Sequence, residues 1–138
     1  MGASENQQIV RDVFERAINQ RDDTVFEELI GSSYVNYDMP TPEPGPEGLR
    51  AVMGAFFEAF PDMRIVIETT LGEGDLVCTR GHFEGTHQGD FMGVPASGST
   101  VNVPYIDIWR VEGGKAVENW VRLDLLGLMQ QIGAVPAP

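Results

Sequence analysis

The sequence predicts an α+β protein in which N-terminal helices are followed by a long antiparallel meander. Three observations carry this prediction. Apolar residues recur at helical spacing in three stretches of the first 60 residues. Four strand-like segments follow, with glycine turn signals joining the outer pairs. The third of these segments has an apolar face broken by one aspartate, Asp107. A strongly curved sheet wrapped against three helices would leave an internal pocket for such a residue to face.

The elements follow in order along the chain. Ser4 to Gln7 reads as a capping box opening a helix from about Glu5 to Gln20, with Ile9, Val10, Val13, Phe14, Ala17 and Ile18 as its apolar stripe. A shorter helix, about Thr24 to Ile30, is expected to stop at Gly31. Tyr34 to Asp38 reads as a short strand or extended segment, and Met39 to Gly45 as a proline-rich loop. Pro46 suits the first turn of a third helix, whose stripe runs Leu49, Val52, Met53, Phe56, Phe57 and Phe60, with Pro61 marking its end. The strand-like segments are Met63–Leu71, Leu76–Glu84, Thr100–Val111 and Ala116–Leu123. A last short helix, about Leu125 to Ile132, ends at Gly133.

Composition narrows the function. The 138 residues are expected to form one domain with a sizeable core. With 21 Asp and Glu against 9 Lys and Arg, the chain has no basic stripe to meet phosphates, so no nucleic-acid partner is expected. No apolar run approaches the ~20 residues that span a bilayer, so no membrane partner is expected. The polar N-terminus lacks a signal-peptide pattern, and the expected location is cytoplasmic. The lone cysteine, Cys78, reads as a small hydrophobe within a strand. His82 and His87 lack the spacing of a metal pair, and no glycine-rich phosphate fingerprint is present, so neither metal nor cofactor is expected.

Strand side chains alternate faces, so Asp107 shares its face with Val103, Tyr105, Trp109 and Val111. A buried carboxylate must be paired, hydrogen-bonded or protonated. A carboxyl so placed in an apolar cavity suits acid–base chemistry. The alternatives are a structural hydrogen bond or a place in a subunit interface.

Four segments carry a resemblance to a known family: Glu47-Gly-Leu-Arg-Ala-Val-Met53, Phe60-Pro-Asp-Met63, Gly85-Thr-His-Gln-Gly-Asp-Phe-Met-Gly-Val-Pro95 and Asp124-Leu-Leu-Gly-Leu-Met-Gln-Gln-Ile-Gly133. In their order and spacing the chain resembles the SnoaL-like polyketide cyclases, of the nuclear transport factor 2-like superfamily that also holds ketosteroid isomerase. The resemblance implies a cone-shaped α+β roll, a curved antiparallel sheet and three N-terminal helices enclosing a deep apolar pocket. It also implies intramolecular aldol ring closure by side-chain acid–base chemistry without a cofactor, and association through the sheet as dimers or higher oligomers. The cyclases place an acid–base aspartate on the last strand, which falls here at Val121, with the neighbouring histidine position at Asn119. Their other pocket histidine falls at Asp107. Asp124 matches an Asp that opens the last helix, where capping is its expected task.

Asn119 is the polar exception on its own apolar parity of Val117, Val121 and Leu123. A two-residue hairpin loop, Gly113-Gly114, would set Asp107 opposite Trp120. A three-residue loop from Glu112 would set it opposite Asn119 and keep both parities on one face, which makes it the preferred reading. An Asp107–Asn119 dyad would then pair a proton acceptor with an orienting or oxyanion-stabilising amide.

Other polar residues are weighed as substrate contacts. Tyr34-x-Asn36 resembles the pair that holds water in limonene epoxide hydrolase. That enzyme's Arg-x-Asp falls at Gly81-x-Phe83 and its second aspartate at Val121, so its charge relay is missing. Asn36 remains a candidate donor to a substrate carbonyl. Arg80 and His82 share a strand face that could line the pocket or lie outside it. His87 is expected to pin the Phe91–Pro95 loop, while Tyr105, Trp109 and Val121 are candidate lining residues. The expectation is a cofactor-independent cyclase or related lyase/isomerase acting on a polyketide-like or polycyclic carbonyl compound, a hydrophobic small molecule. The rivals are a non-catalytic binding protein for an apolar small molecule and a tailoring hydroxylase on the same fold.

Overall fold

A computed structural model describes residues 2–137. Helix α1 (Ala3–Asp12) runs directly into a π-helical segment (Val13–Asn19). The apolar pairs Ile9/Val10, Val13/Phe14 and Ala17/Ile18 recur every four residues, and all six are buried. An α-helix turns about 100° per residue, so such a repeat drifts by about 40° at each step. The wider i→i+5 winding of the π segment takes up that drift and keeps the later pairs facing the sheet. The helix starts ahead of the expected Ser4 cap: Gly2 is the N-cap, and its N–H is accepted by the Glu5 carboxylate at 2.7 Å.

Helix α2 (Val25–Leu29) passes without a loop into strand β1 (Ile30–Asn36). Gly31 therefore does not stop the helix but lies within the strand. A Cβ there would stand 2.9 Å from Val117 Cγ1, so the residue is needed for close strand approach. Helix α3 (Pro46–Ala59) has Pro46 in its first turn, as expected. Strands β2 (Arg64–Glu73), β3 (Leu76–Thr86), β4 (Thr100–Glu112) and β5 (Lys115–Leu123) follow, and helix α4 (Leu125–Gln131) closes the order. The Asp124 carboxylate accepts the Gly127 N–H at 2.9 Å and so caps α4 as read from the sequence.

The sheet has the order β1-β5-β4-β3-β2. It is mixed rather than wholly antiparallel, because β1 runs parallel to β5. No hairpin constrains β1: it enters from a helix and meets its partner some 80 residues later in the chain, at Ile30↔Ala116. Irregularities interrupt three of the ladders, β2–β3, β4–β5 and β1–β5. At the first, Gly81 sits where a Cβ would come within 1.9 Å of the Val66 carbonyl oxygen. The α1/π unit and α3 cover the concave face, where Phe14 packs edge-on to Trp109 at 5.7 Å and Phe60 edge-on to Phe83 at 5.1 Å.

Candidate active site

Between the helices and the concave face lies a cavity of about 80 Å³, walled almost entirely by apolar side chains. Asn36, Asp107 and Asn119 are its strongly polar lining residues, together with the Tyr105 ring. The cavity adjoins an outer hollow of about 530 Å³, and the two share Met39, Phe56, Val121 and Leu123 as walls. Sheet alternation puts the carboxylate there. Along β4 every odd residue from Val101 to Val111 is buried and faces inward, Asp107 among them at 4% exposure.

Two donors hold the Asp107 carboxylate. Thr79 Oγ donates to Oδ1 at 2.5 Å, and Trp109 Nε1 donates to Oδ2 at 2.8 Å. Burial pushes the carboxyl up to about 7, against the pull of these two hydrogen bonds toward the ionised form. A group balanced there exists in both protonation states near neutrality, as a general base requires. The sequence reading passed over Thr79, which is fully buried and pairs with Asp107 across the β3–β4 ladder. Its signal was the parity Val77-Thr79-Gly81-Phe83, whose other members are apolar or glycine.

Asn119 does not face Asp107. The β4–β5 turn is Gly113-Gly114, with Glu112 paired to Lys115, and Val117 is bulged out between Val111↔Ala116 and Arg110↔Glu118. The extra residue sets Asp107 opposite Val121 and Trp109 opposite Asn119. The bulge keeps both apolar parities inward, which is the task the longer loop was expected to perform. Asn119 instead anchors a buried amide cluster. Its Oδ1 accepts from Asn36 Nδ2 at 3.1 Å and from Tyr34 Oη at 3.3 Å, while its Nδ2 donates to the Ile108 carbonyl at 2.9 Å. One Nδ2 hydrogen of Asn119 is left over.

Asn36 is more fully engaged. Its Oδ1 accepts from the Asp38 and Met39 N–H groups, and its Nδ2 bonds Asn119 and Tyr34. The side chain shapes the start of the proline-rich loop and has no hydrogen left for a substrate carbonyl. Tyr34 is wholly buried behind the cavity wall, with its ring stacked on Trp109 at 6.2 Å. Burial raises its phenol above the ordinary tyrosine range.

The family model described as SnoaL-like polyketide cyclase matches residues 8–132. The chain belongs to the SnoaL-like polyketide cyclase family. Among solved structures it is similar to TsrD from Streptomyces laurentii, with 30% identity, 98% of this chain and 99% of that chain covered, and a TM-score of 0.89. It is also similar to IdmH from Streptomyces antibioticus, described as a candidate polyketide cyclase, with 30% identity, 93% and 98% covered, and a TM-score of 0.80. AclR from Streptomyces galilaeus, described as a candidate hydroxylase, shares 25% identity over 99% of this chain and 86% of its own, with a TM-score of 0.86. No curated protein sequence matches the chain. Family membership supports a cyclase-type role.

In this SnoaL-like chain Val121 and Asn119 both line the cavity, and Asp107 lies directly across the ladder from Val121. Tyr105 and Trp109 are lining residues as expected. Arg80 and His82 are not. They project from the outer face, Arg80 onto Thr69 and Glu68 and His82 between Glu68 and Glu84. Their parity is opposite to that of Thr79, so they cannot reach the cavity, and the substrate-binding role expected of them is withdrawn. Cys78 shares that outer parity, and burial pushes its thiol up, away from thiolate chemistry. His87 is fully buried and its Nδ1 bonds both the hydroxyl and the N–H of Ser97, so it pins the chain just beyond the expected Phe91–Pro95 loop. Among the described residues no group of three or more His, Cys, Asp or Glu side chains is placed to hold a metal ion, and no helix is long and apolar enough to cross a membrane.

Proposed function

We propose that this protein is a cofactor-independent cyclase that closes a ring by intramolecular aldol chemistry on a polyketide-like or polycyclic carbonyl compound. The observation that carries the reading is a carboxyl poised near neutrality inside an apolar cavity. Asp107, as carboxylate, takes a proton from the carbon α to a substrate carbonyl, and the C–H electron pair moves into an enolate. The free Nδ2 hydrogen of Asn119 donates to the enolate oxygen. The enolate carbon attacks a second carbonyl of the same molecule, forming a C–C bond and an alkoxide, which takes the proton back from Asp107. Protons and electrons balance within the substrate, and the apolar walls hold the reacting carbons together. By resemblance, Val121 is where the cyclases carry their acid–base aspartate, and Asp107 offers a carboxylate from the opposite strand. The narrow inner cavity suits the reactive end of such a molecule, with the remainder in the outer hollow.

The test is Asp107→Asn assayed with linear polyketide thioesters and aromatic polyketide esters. Lost turnover with retained binding supports the base, and near-wild-type turnover refutes it. A wild-type protein that binds such compounds and returns them unchanged refutes catalysis in favour of an apolar small-molecule carrier. The similarity to AclR favours a second reading, a tailoring hydroxylase. Product formation that stops under anaerobic conditions would select it over ring closure.

We further infer self-association through the sheet. Leu71, Cys78, Ile108 and Trp120 are successive ladder partners and form an apolar row on the outer face. Leu71 and Ile108 are 62% and 42% exposed, and a contiguous exposed apolar row is the kind of surface that marks an interaction site. Sedimentation should show a dimer that Trp120→Glu dissociates, and a wild-type monomer at micromolar concentration refutes the inference.

A further inference from the structure

One buried hydroxyl is not used by this reading. Thr79 Oγ lies 2.5 Å from Asp107 Oδ1 and 3.0 Å from Tyr105 Oη. All three side chains are on inward parities of adjacent strands, where Thr79 pairs with Asp107 and Gly81 with Tyr105. A carboxylate only accepts hydrogen bonds, and a threonine hydroxyl has a single hydrogen. While Asp107 is ionised, that hydrogen is committed to Oδ1. The Tyr105 hydrogen is therefore committed to Thr79 Oγ, and every donor in the chain points toward the carboxylate. The neutral acid allows the reverse order. Asp107 then donates to Thr79 Oγ, the Thr79 hydrogen turns to Tyr105 Oη, and the Tyr105 hydrogen is released toward the cavity that its ring lines.

We propose that Thr79 is a positioning residue that couples the charge state of Asp107 to the donor direction of Tyr105, so that the Tyr105 hydroxyl is freed for a substrate oxygen when Asp107 carries the proton. The catalytic meaning rests on Asp107 as the proton acceptor. With it, base and second oxyanion donor form one unit, and the donor is released at the step where negative charge develops on oxygen. The coupling itself rests only on the three-residue chain.

The test therefore needs no substrate. Nuclear magnetic resonance of the Asp107 Cγ and Tyr105 Cζ carbons is followed from pH 4 to 10 in wild type, Thr79→Val, Thr79→Ser and Tyr105→Phe. In the wild type the Tyr105 signal should move with the Asp107 midpoint. Thr79→Val should raise that midpoint by at least about one pH unit, since a hydrogen bond to the charged form is lost, and should uncouple Tyr105 from it. Thr79→Ser should restore both. Tyr105→Phe should raise the midpoint when Thr79 is present and leave it unmoved in the double variant with Thr79→Val. A wild-type Tyr105 signal that ignores the Asp107 titration, a serine that fails to restore it, or additive effects in the double variant would each overturn the coupling. A chain that shows the coupling yet turns over no carbonyl substrate would refute the cyclase reading and leave the coupling standing.

Discussion

Ionising Asp107 inside the cavity should cost fold stability, and replacing it with asparagine should return that stability increasingly as pH rises above about 4. The folded carboxyl sits at about 7, while its ordinary value is 3.8. Between those values the folded protein keeps a proton that the unfolded chain has lost. Stability is therefore fully present below about pH 4, falls as pH rises toward 7, and levels off above it. At 1.36 kcal/mol per pH unit, the gap corresponds to a loss of about 4 kcal/mol at pH 9. Asparagine escapes this loss because its Oδ1 can accept from Trp109 Nε1 while its Nδ2 donates to Thr79 Oγ, whose hydroxyl reverses. At about 4 °C per kcal/mol for a domain of this size, Asp107→Asn should melt on the order of 10 °C above wild type at pH 9. At pH 4, where little of the loss has yet accrued, the two should agree within about 3 °C on the same scale. Circular dichroism melts of both proteins at both pH values read this directly, and the other 20 acidic residues cancel in the comparison (21 Asp and Glu in all, less Asp107). A melting gap that does not change with pH would refute the account of Asp107 as a desolvated carboxylate.

If Asp107 is the base, kcat/KM for ring closure should rise with pH through about 7 and then level off, because only the ionised form accepts a proton; a flat profile from pH 5 to 9 would exclude it. Trp109→Phe removes the donor to Oδ2 and should cost about 1–3 kcal/mol of stability above pH 7, read by urea unfolding. Gly81→Ala drives a methyl into the Val66 carbonyl and should cost about 3 kcal/mol or more. Gly54→Ala, on α3 with no atom within 4 Å of its Cβ, should stabilise by about 0.5–1 kcal/mol. Arg80→Ala combined with His82→Ala should leave turnover within about twofold of wild type, since both side chains lie on the outer face.

Legibility from sequence followed the range of the interaction that decides each feature. Periodicity is local, and it placed the helices, the four meander strands and the inward face of β4 within a few residues of where they lie. Features set by a distant partner were not legible. Gly31 carries the usual mark of a helix stop, yet its place is dictated by Val117, on a strand formed 86 positions later in the chain (117 less 31). The parallel pairing of β1 with β5 has no local signature for the same reason. Thr79 was hidden differently. A threonine suits either face of a strand, and its neighbour Gly81, demanded by the Val66 carbonyl, removed the apolar residue that would have marked the parity as inward.

The β4–β5 register shows how a single residue decides the chemistry of the cavity. With the two-glycine turn alone, Asp107 would lie opposite Trp120, and every β5 side chain from Glu118 onward would change face. The bulged Val117 restores Asn119, Val121 and Leu123 to the cavity and sets the aliphatic Val121 directly across from Asp107. The position opposite the carboxylate is thus occupied by a side chain that can neither hydrogen-bond nor carry charge. A second carboxylate there would repel Asp107 and split the titration of the pair. With valine in its place, the desolvation that lifts Asp107 comes from apolar neighbours, and the proton it holds is shared with no other acid. The valine on the neighbouring strand is therefore part of what lifts the Asp107 carboxyl toward neutrality.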